Sequence, residues 1–205
     1  MVNKMKYDPD IHNRCSIRLK GYDYSQAGLY FITICTQDRL RLFGEITDNG
    51  NGAMICALNK FGRIAETEWI KTSEIRPNID LDAFVIMPNH IHGIIRINDM
   101  DDMYDCMAGM THDRRGTMHR AATMAHHVPT VEQFGKPTSN TIPAIIRGYK
   151  SSVTKQINIL RNKPGVPVWQ RNYYEHIIRD EKSYLQISEY IRTNPLKWPT
   201  DKYYE

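Results

Sequence analysis

The stretch AFVIMPNHIHGIIRI, residues 83–97, consists of two apolar runs separated by a Pro88-Asn89 turn. Such a pattern predicts two paired strands joined by a tight connection. Alternate side chains of a strand point to the same face, so we expect His90 and His92 to lie side by side. Two neighbouring imidazoles on a rigid strand can bind one metal ion. Two half-exposed strand histidines without any ligand would produce the same pattern.

A second informative pattern is RDEKSYLQISEYIRT, residues 179–193, which predicts a helix that ends before Pro195. Tyr190 and Asn194 are four residues apart, so they lie on the same side of this helix, along the edge of its apolar stripe. A phenol and a carboxamide would therefore face whatever the helix packs on. A core aromatic residue and a helix cap before a proline would also explain these two positions.

Composition and length indicate a single globular domain over residues 1–205, with an N-terminal basic arm at 1–28 and a surface insertion at 98–137. Hydrophobic residues make up 41% and charged residues 24% of the chain, as in ordinary globular proteins. No apolar run approaches the roughly 20 residues of a membrane span, and the N-terminus has no signal-peptide core. The cysteines are scattered without Cys-x-x-Cys spacing, which favours a reducing, cytoplasmic setting; they are Cys15, Cys35, Cys56 and Cys106.

The net charge of +4 permits a polyanionic partner without requiring one. Basic residues that can neutralise phosphates occur in three groups, although a solvated surface would explain them as well. The groups are Arg14, Arg18 and Lys20 in the arm, Arg39 and Arg41 after the first strand, and Lys150, Lys155, Arg161 and Lys163 along a later helix.

The order of predicted elements indicates the fold class. They are a buried strand at 29–37, a hairpin at 43–46 and 53–57, a helix at 58–72, paired strands at 83–87 and 90–97, a helix at 138–160, an aromatic strand at 168–174 and the final helix. Without the hairpin and the final helix, this is the β-α-β-β-α-β order of a ferredoxin-like α+β sandwich. In that arrangement His90 and His92 lie in the middle of the sheet, on an open face that the final helix can cover.

The insertion at 98–137 has no steady period of 2 or 3.6 residues and is rich in Met, His, Asp and Arg. Its histidines have no spacing typical of a closed zinc site, so we assign them to solvent. They are His112, His119, His126 and His127.

Taken together, four segments of this chain resemble the single-tyrosine HUH transposases, in particular the REP-associated tyrosine transposase branch. The segments are AFVIMPNHIHGII at 83–95, RGYKSSVTKQIN at 147–158, VWQRNYYEHIIRDEKSY at 168–184 and EYIRTNP at 189–195. The resemblance implies that His90, His92 and Asn194 bind a metal ion and that Tyr190 is the nucleophile. The insertion after Ile97 departs from the compact members of the family.

The resemblance further implies metal-dependent cleavage of single-stranded DNA beside a hairpin, and strand transfer through a 5′-phosphotyrosine. The cation would be Mg²⁺ or Mn²⁺, and paired imidazoles suit Mn²⁺ better. The protein would act as a monomer or homodimer, with the tyrosine serving its own subunit or the partner. Expected DNA-binding residues are Arg14, Arg18, Lys20, Lys150 and Lys155 for phosphates and Tyr173 and Tyr174 for stacking on bases. We expect Trp169 to belong to the core instead.

Three alternatives remain from the sequence. A metal nuclease can use water as its nucleophile, with Tyr190 only packing. A domesticated relative can bind hairpin DNA without cutting it. A role for Tyr149 as the nucleophile is weaker, because this residue continues the apolar helical stripe of Ile145 and Val153.

Overall fold

The computed structural model describes residues 22–99 and 140–204. Within them, a central sheet is packed between helices, and a separate hairpin lies beside it. The elements in chain order are β1 (Gly28–Cys35), β2 (Gly44–Asp48), β3 (Met54–Leu58), α1 (Lys60–Glu74), β4 (Ile79–Ile86), β5 (His90–Ile97), α2 (Ile142–Leu160), β6 (Tyr174–Ile178) and α3 (Glu181–Thr193).

The central sheet has four strands in the order β4-β5-β1-β6, and every neighbouring pair is antiparallel. The first and third strands of the β-α-β-β-α-β succession, β1 and β5, are therefore central, as the sequence predicts. Strands β2 and β3 pair only with each other, which confirms the predicted hairpin. The α+β class is confirmed, and the pair of histidines begins one of the two central strands.

One face of the sheet is covered by α1 and α2 and forms the main hydrophobic core, which we call the apolar face. Ile32 and Ile95 of the central strands are fully buried there, together with Trp69 of α1 and Tyr149 of α2. The opposite face, which we call the site face, is covered by α3. A smaller apolar cluster on it includes Phe31, and the predicted stripe of α3 packs into that cluster.

Gly93 of β5 allows the closest contact between the sheet and α1. A Cβ atom at this position would lie 2.4 Å from Cζ2 of Trp69, which is impossible without a shift of one of the two. The indole is 1% exposed and packs edge-on against Tyr149, with ring centroids 5.2 Å apart. Glycine is therefore required so that the tryptophan can pack directly on the strand backbone.

Side-chain caps fix where the three helices begin. Asn59 accepts hydrogen bonds from the backbone N–H groups that open α1, Thr141 does so for α2, and Asp180 for α3. Helix α3 is also attached to the edge strand β4, because the Tyr184 hydroxyl donates to a carboxylate oxygen of Asp82 at 3.0 Å. These contacts set the orientation of the helix that carries the predicted nucleophile.

The predicted aromatic strand at 168–174 is wrong: β6 begins only at Tyr174. Trp169 forms an isolated bridge with Thr36, after which the chain leaves the sheet. The backbone carbonyls of residues 170–172 accept hydrogen bonds from Nζ of Lys150, at 2.6 to 3.3 Å, instead of joining a ladder. Aromatic composition favours a strand here, but the partly buried ammonium group of Lys150 binds the carbonyls instead.

Several boundaries also differ from those predicted. Strand β4 begins at Ile79 and not at 83, with a register shift between Leu81 and Phe84 that interrupts the alternating pattern. Helix α2 ends at Leu160, so Arg161 and Lys163 lie beyond it and not along it. Most of the basic arm and the insertion, with their basic residues, histidines and two of the cysteines, lie outside the described residues. Cys35 and Cys56 are partly buried free thiols. None of the helices in the described part of the chain is long and apolar enough to cross a membrane.

Candidate active site

The site face of β5 brings the two histidines together, as the alternation of the strand predicts. His90 and His92 are 0% and 1% exposed, and their ring centroids are 4.5 Å apart. Their Cα partners on the other central strand are Cys35 and Thr33. Both imidazoles thus lie on one of the two central strands of the sheet, and they point away from the main core.

A second layer of side chains fixes the orientation of each imidazole. Nδ1 of His90 lies 2.8 Å from Oδ1 of Asn89, and Nδ1 of His92 lies 2.8 Å from Oγ1 of Thr33. An amide oxygen can only accept, so Nδ1 of His90 carries the proton and its Nε2 keeps a lone pair. The Thr33 hydroxyl can hold His92 in the same tautomer. Partners of this kind are what orient metal-binding histidines.

Helix α3 brings Tyr190 and Asn194 to the same place. The Tyr190 hydroxyl lies 3.1 Å from Nε2 of His92, and the two ring centroids are 5.1 Å apart. Asn194 caps the C-terminus of α3, as one interpretation of the sequence has it, yet its side chain is fully buried at the site. Tyr190 packs against Phe31 with only its ring, so that its hydroxyl reaches the imidazole.

The segment after α3 adds a carboxylate that the sequence analysis did not find. Oδ2 of Asp201 accepts hydrogen bonds from the Tyr190 hydroxyl at 3.3 Å and from Nδ2 of Asn194 at 2.9 Å. Its other oxygen accepts from the backbone N–H of Tyr203 at 2.7 Å. Donor atoms of His90, His92 and Asp201 all lie within 4.8 Å of one another.

Tyr203, from the C-terminal segment, packs against both histidines. Its ring centroid lies 4.6 Å from that of His90, and its backbone carbonyl accepts a hydrogen bond from Nδ2 of Asn89 at 2.7 Å. The ammonium group of Lys202 lies 4.8 Å from the same ring centroid. The turn before β5 therefore holds the C-terminal segment against the histidines.

Two buried polar atoms at the site have no hydrogen-bond partner among the described residues: Nε2 of His90 and Oδ1 of Asn194. An unpartnered buried acceptor is costly, and a cation would satisfy both. Together with Nε2 of His92 they form a set of nitrogen and oxygen donors that suits a divalent metal ion. The residues present therefore fit the cation that the sequence resemblance implies.

Burial determines the protonation states at the site. It lowers the pKa of His90 to about 4, although Asp201 and Asn194 act in the opposite direction. Burial and the neighbouring imidazole hold the pKa of His92 well below its ordinary value. The pKa of Tyr190 is raised, by burial first and by the negative charge of Asp201 second. Near neutral pH the site thus presents two neutral imidazoles and a protonated phenol.

A groove of about 310 Å³ lies beside the site, between β6 and α3. Phe31 separates it from the histidines, with its ring centroid 5.5 Å from that of His92. The predicted stacking residue Tyr174 is 44% exposed and contributes one wall of the groove. The remaining lining residues are His176, Ser183, Gln186 and Ile187. The groove offers both aromatic surface and hydrogen-bonding groups.

The other predicted DNA-binding residues are not gathered at the site. Lys150 points inwards, donates to the three backbone carbonyls described above, and has a pKa lowered to about 8 by burial. Lys155 is exposed on α2, which covers the apolar face. Tyr173 is partly buried against the main core. Arg14, Arg18 and Lys20 lie outside the described residues.

Two aromatic residues behave as core residues. Trp169 is 6% exposed, which agrees with the expectation that it packs inside. Tyr149 is 4% exposed, and its hydroxyl donates to the backbone carbonyl of Ala65 at 3.0 Å. The alternative nucleophile therefore lies on the apolar face, away from both histidines.

Comparison with known proteins finds a relative that matches nearly the whole chain and a more distant relative that carries a family name. The chain is 40% identical over 199 residues to an uncharacterized protein of Haemophilus influenzae, covering 97% of each. It is 27% identical over 175 residues to a second Haemophilus influenzae protein, whose name assigns it provisionally to the REP-associated tyrosine transposases. That match covers 85% of this chain and 74% of the relative. It confirms the resemblance found in the sequence.

Among solved structures, the chain is similar to a REP-associated tyrosine transposase bound to a REP hairpin. The TM-score is 0.47 with 19% identity, covering 89% of this chain and 74% of the other. No protein-family model matches the chain.

Proposed function

This chain belongs to one family with the 40% identical Haemophilus protein and is a relative of the REP-associated tyrosine transposases, and from that premise we propose that it cleaves and rejoins single-stranded DNA. The proposed substrate is single-stranded DNA beside a hairpin. The proposed nucleophile is Tyr190, and His90, His92 and Asn194 are the proposed metal ligands.

The observation that carries the proposal is the 3.1 Å separation between the Tyr190 hydroxyl and Nε2 of His92. The two residues are 98 positions apart in sequence, and local structure alone does not bring them together. Tyr149, which packs in the core, donates its hydroxyl to a backbone carbonyl. The Tyr190 hydroxyl instead lies between an imidazole nitrogen and a carboxylate oxygen, and the carboxylate can accept its proton.

In the proposed reaction, the Tyr190 oxygen attacks a phosphodiester phosphorus, and the bond from phosphorus to the 3′ oxygen breaks. The products are a 5′-phosphotyrosine and a 3′-hydroxyl group. The phenolic proton passes to the Asp201 carboxylate, and the leaving 3′ oxygen takes up a proton from water. The covalent intermediate conserves the phosphodiester, so attack by another 3′-hydroxyl reverses the step and joins strands without a nucleotide cofactor.

Each described residue has a separate task in this scheme. Asn89 and Thr33 hold the imidazoles in the tautomer that directs Nε2 into the site. Burial keeps both imidazoles neutral, as ligands must be. When bound, a divalent cation supplies polarisation of the phosphodiester and stabilises negative charge that develops on oxygen. The raised pKa of Tyr190 keeps the phenol protonated in the free protein.

Single-stranded DNA suits the shape of the site face better than a duplex does. The groove beside Phe31 has the size and the mixed lining to receive an unstacked base, and Tyr174 offers an exposed ring for stacking. A stacked duplex cannot place one base there and one phosphate at Tyr190. We therefore place the scissile phosphate at Tyr190 and an adjacent nucleotide in the groove.

The test is a search for DNA covalently attached to the protein. Purified protein with Mn²⁺ is incubated with 3′-labelled oligonucleotides that carry one stem-loop and randomised single-stranded flanks, and the products are separated on a denaturing gel. The labelled fragment is expected to migrate with the protein. Tyr190→Phe is expected to abolish this adduct, whereas Tyr184→Phe, on the same helix, is expected to retain it.

Two results would contradict the proposal in different ways. Cleavage without an adduct, equally fast in Tyr190→Phe, would identify a nuclease that uses water. Tight binding of the stem-loop without any cleavage would identify a binding protein that has lost the reaction.

A further inference from the structure

We propose that Asp201 is a fourth protein ligand of the cation site and adds one negative charge to His90, His92 and Asn194. The inference rests on the proposed function, since it concerns the same cation. It adds a residue from the C-terminal segment, outside both the strand and the helix that carry the other three.

The first support is proximity. Donor atoms of His90, His92 and Asp201 lie within 4.8 Å of one another, and in the described part of the chain these are the only three such side chains so grouped. Ligand distances near 2.1 Å place opposite donors of one ion about 4.2 Å apart. Small movements of the side chains would therefore allow a shared ion.

The second support is the orphaned polar atoms beside this carboxylate. Nε2 of His90 belongs to a side chain that is 0% exposed, and it has no partner among the described residues. The same holds for Oδ1 of Asn194. A cation between the imidazole, the amide oxygen and the carboxylate would satisfy all three.

The third support is the way in which Asp201 is held. Its Oδ2 accepts from Nδ2 of Asn194 at 2.9 Å, which turns the amide so that Oδ1 is the atom left for the site. Its Oδ1 accepts the backbone N–H of Tyr203, whose carbonyl is bound by Asn89. A carboxylate has about four acceptor positions, so these bonds leave room for a metal. Asn89 therefore positions both His90 and the C-terminal segment that carries Asp201.

The charge balance favours a carboxylate ligand as well. Two neutral imidazoles and a neutral amide leave the full double charge of the cation in a buried setting. One carboxylate halves that charge and leaves coordination positions open for a phosphate. It also raises the affinity for a free metal ion, which makes the inference testable without DNA.

The experiment is a calorimetric titration of metal-stripped protein with Mn²⁺ in the absence of DNA. Asp201→Asn keeps the size of the side chain and removes its charge. It is expected to weaken Mn²⁺ binding by about tenfold or more, because changes even to outer residues of metal sites cost ~10–100-fold. Glu189→Gln is the matched control: it removes the same charge one residue from Tyr190, from an exposed side chain, and is expected to change the affinity less than twofold.

A further variant, Asp201→Glu, separates ligation from a general disturbance of the C-terminal segment. It keeps the carboxylate and is expected to bind Mn²⁺ more tightly than Asp201→Asn. The inference is overturned if Asp201→Asn binds like the unchanged protein, or if the glutamate variant is as weak as the asparagine variant. The proposed cation site fails separately if the unchanged protein binds no Mn²⁺ or if His92→Gln binds it equally well.

Discussion

The two faces of the central sheet receive different kinds of side chain from the same two strands. On β5, Ile91 and Ile95 point into the apolar face, while His90, His92 and Ile94 point to the site face. The apolar face is closed by two long amphipathic helices. The site face is closed by a single helix and by an irregular segment that contributes Asp201 and Tyr203.

This difference separates stability from chemistry along a single strand. The apolar face buries large hydrocarbon and aromatic side chains, which is the main source of folding free energy. The site face buries two imidazoles and an amide, and Nε2 of His90 and Oδ1 of Asn194 have no hydrogen-bond partner among the described residues, which costs free energy unless something binds there. Neighbouring positions of β5 should therefore respond to substitution in opposite ways.

The largest effect is expected from His92→Gln, on the site face. DNA cleavage should fall to below about a hundredth of its original rate, since loss of a ligand exceeds the ~10–100-fold cost of losing an outer residue. The free energy of unfolding without metal should change less in His92→Gln than in Ile95→Ala. Gel-based cleavage assays and urea denaturation in the presence of a chelator measure the two quantities. A variant that cuts DNA normally would remove His92 from the site.

Ile95→Ala, three residues further along β5, should have the opposite outcome. The side chain is 0% exposed in the main core, and such truncations cost about 2–5 kcal/mol. Urea denaturation should show this loss, while Mn²⁺ affinity and cleavage per folded molecule stay within twofold. If catalysis falls as strongly as in the histidine variant, the two faces are not independent.

Acid is expected to lower the free energy of unfolding through His90 on the site face, with a smaller effect than the two substitutions above. The pKa of His90 is about 4 in the folded protein, below its ordinary value near 6.5, so the unfolded chain binds the extra proton first. The contribution of neutral His90 to the free energy of unfolding is complete above about pH 6.5 and is lost as the pH falls towards 4. At one pKa unit per ~1.4 kcal/mol, about 2–3 kcal/mol disappears by pH 4.5.

Urea denaturation of the metal-free protein between pH 7.5 and 4.5 measures this loss. His90→Gln should show a shallower pH dependence than the unchanged protein over that range. The prediction fails if the two curves are parallel.

The smallest effect is expected from Tyr184→Phe, which tests the attachment of α3 to the sheet. The variant loses the hydrogen bond to Asp82, worth about 1 kcal/mol. Thermal or urea denaturation should detect this change, while the amount of covalent DNA adduct stays the same. A marked loss of adduct would mean that the position of Tyr190 depends on this single contact.

The regular parts of the site could be predicted from sequence, because each follows from a period. The alternation of a strand places His90 beside His92, and the helical repeat places Tyr190 beside Asn194. That the strand and the helix meet followed from the order of the elements and from the family resemblance, not from either period. The structure brings the four residues together as expected.

Other features of the site and of the fold could not be predicted from any pattern in the sequence. Asp201 lies in a short irregular segment, where no repeat relates it to the histidines. Asn89 lies in the turn before β5, but its side-chain partners depend on tertiary contacts. The basic character of Lys150 suggested a phosphate contact, whereas the structure directs its ammonium group to backbone carbonyls. Those contacts also explain why the aromatic run before β6 does not form the predicted strand.

The contact between Gly93 and Trp69 links the strand of the two candidate ligands His90 and His92 to a residue on the opposite face of the sheet. Any side chain at position 93 must displace either the indole or the backbone that carries both imidazoles. During divergence of this lineage the two positions should therefore change together: a larger residue at 93 would be tolerated only after the tryptophan had been replaced by something smaller.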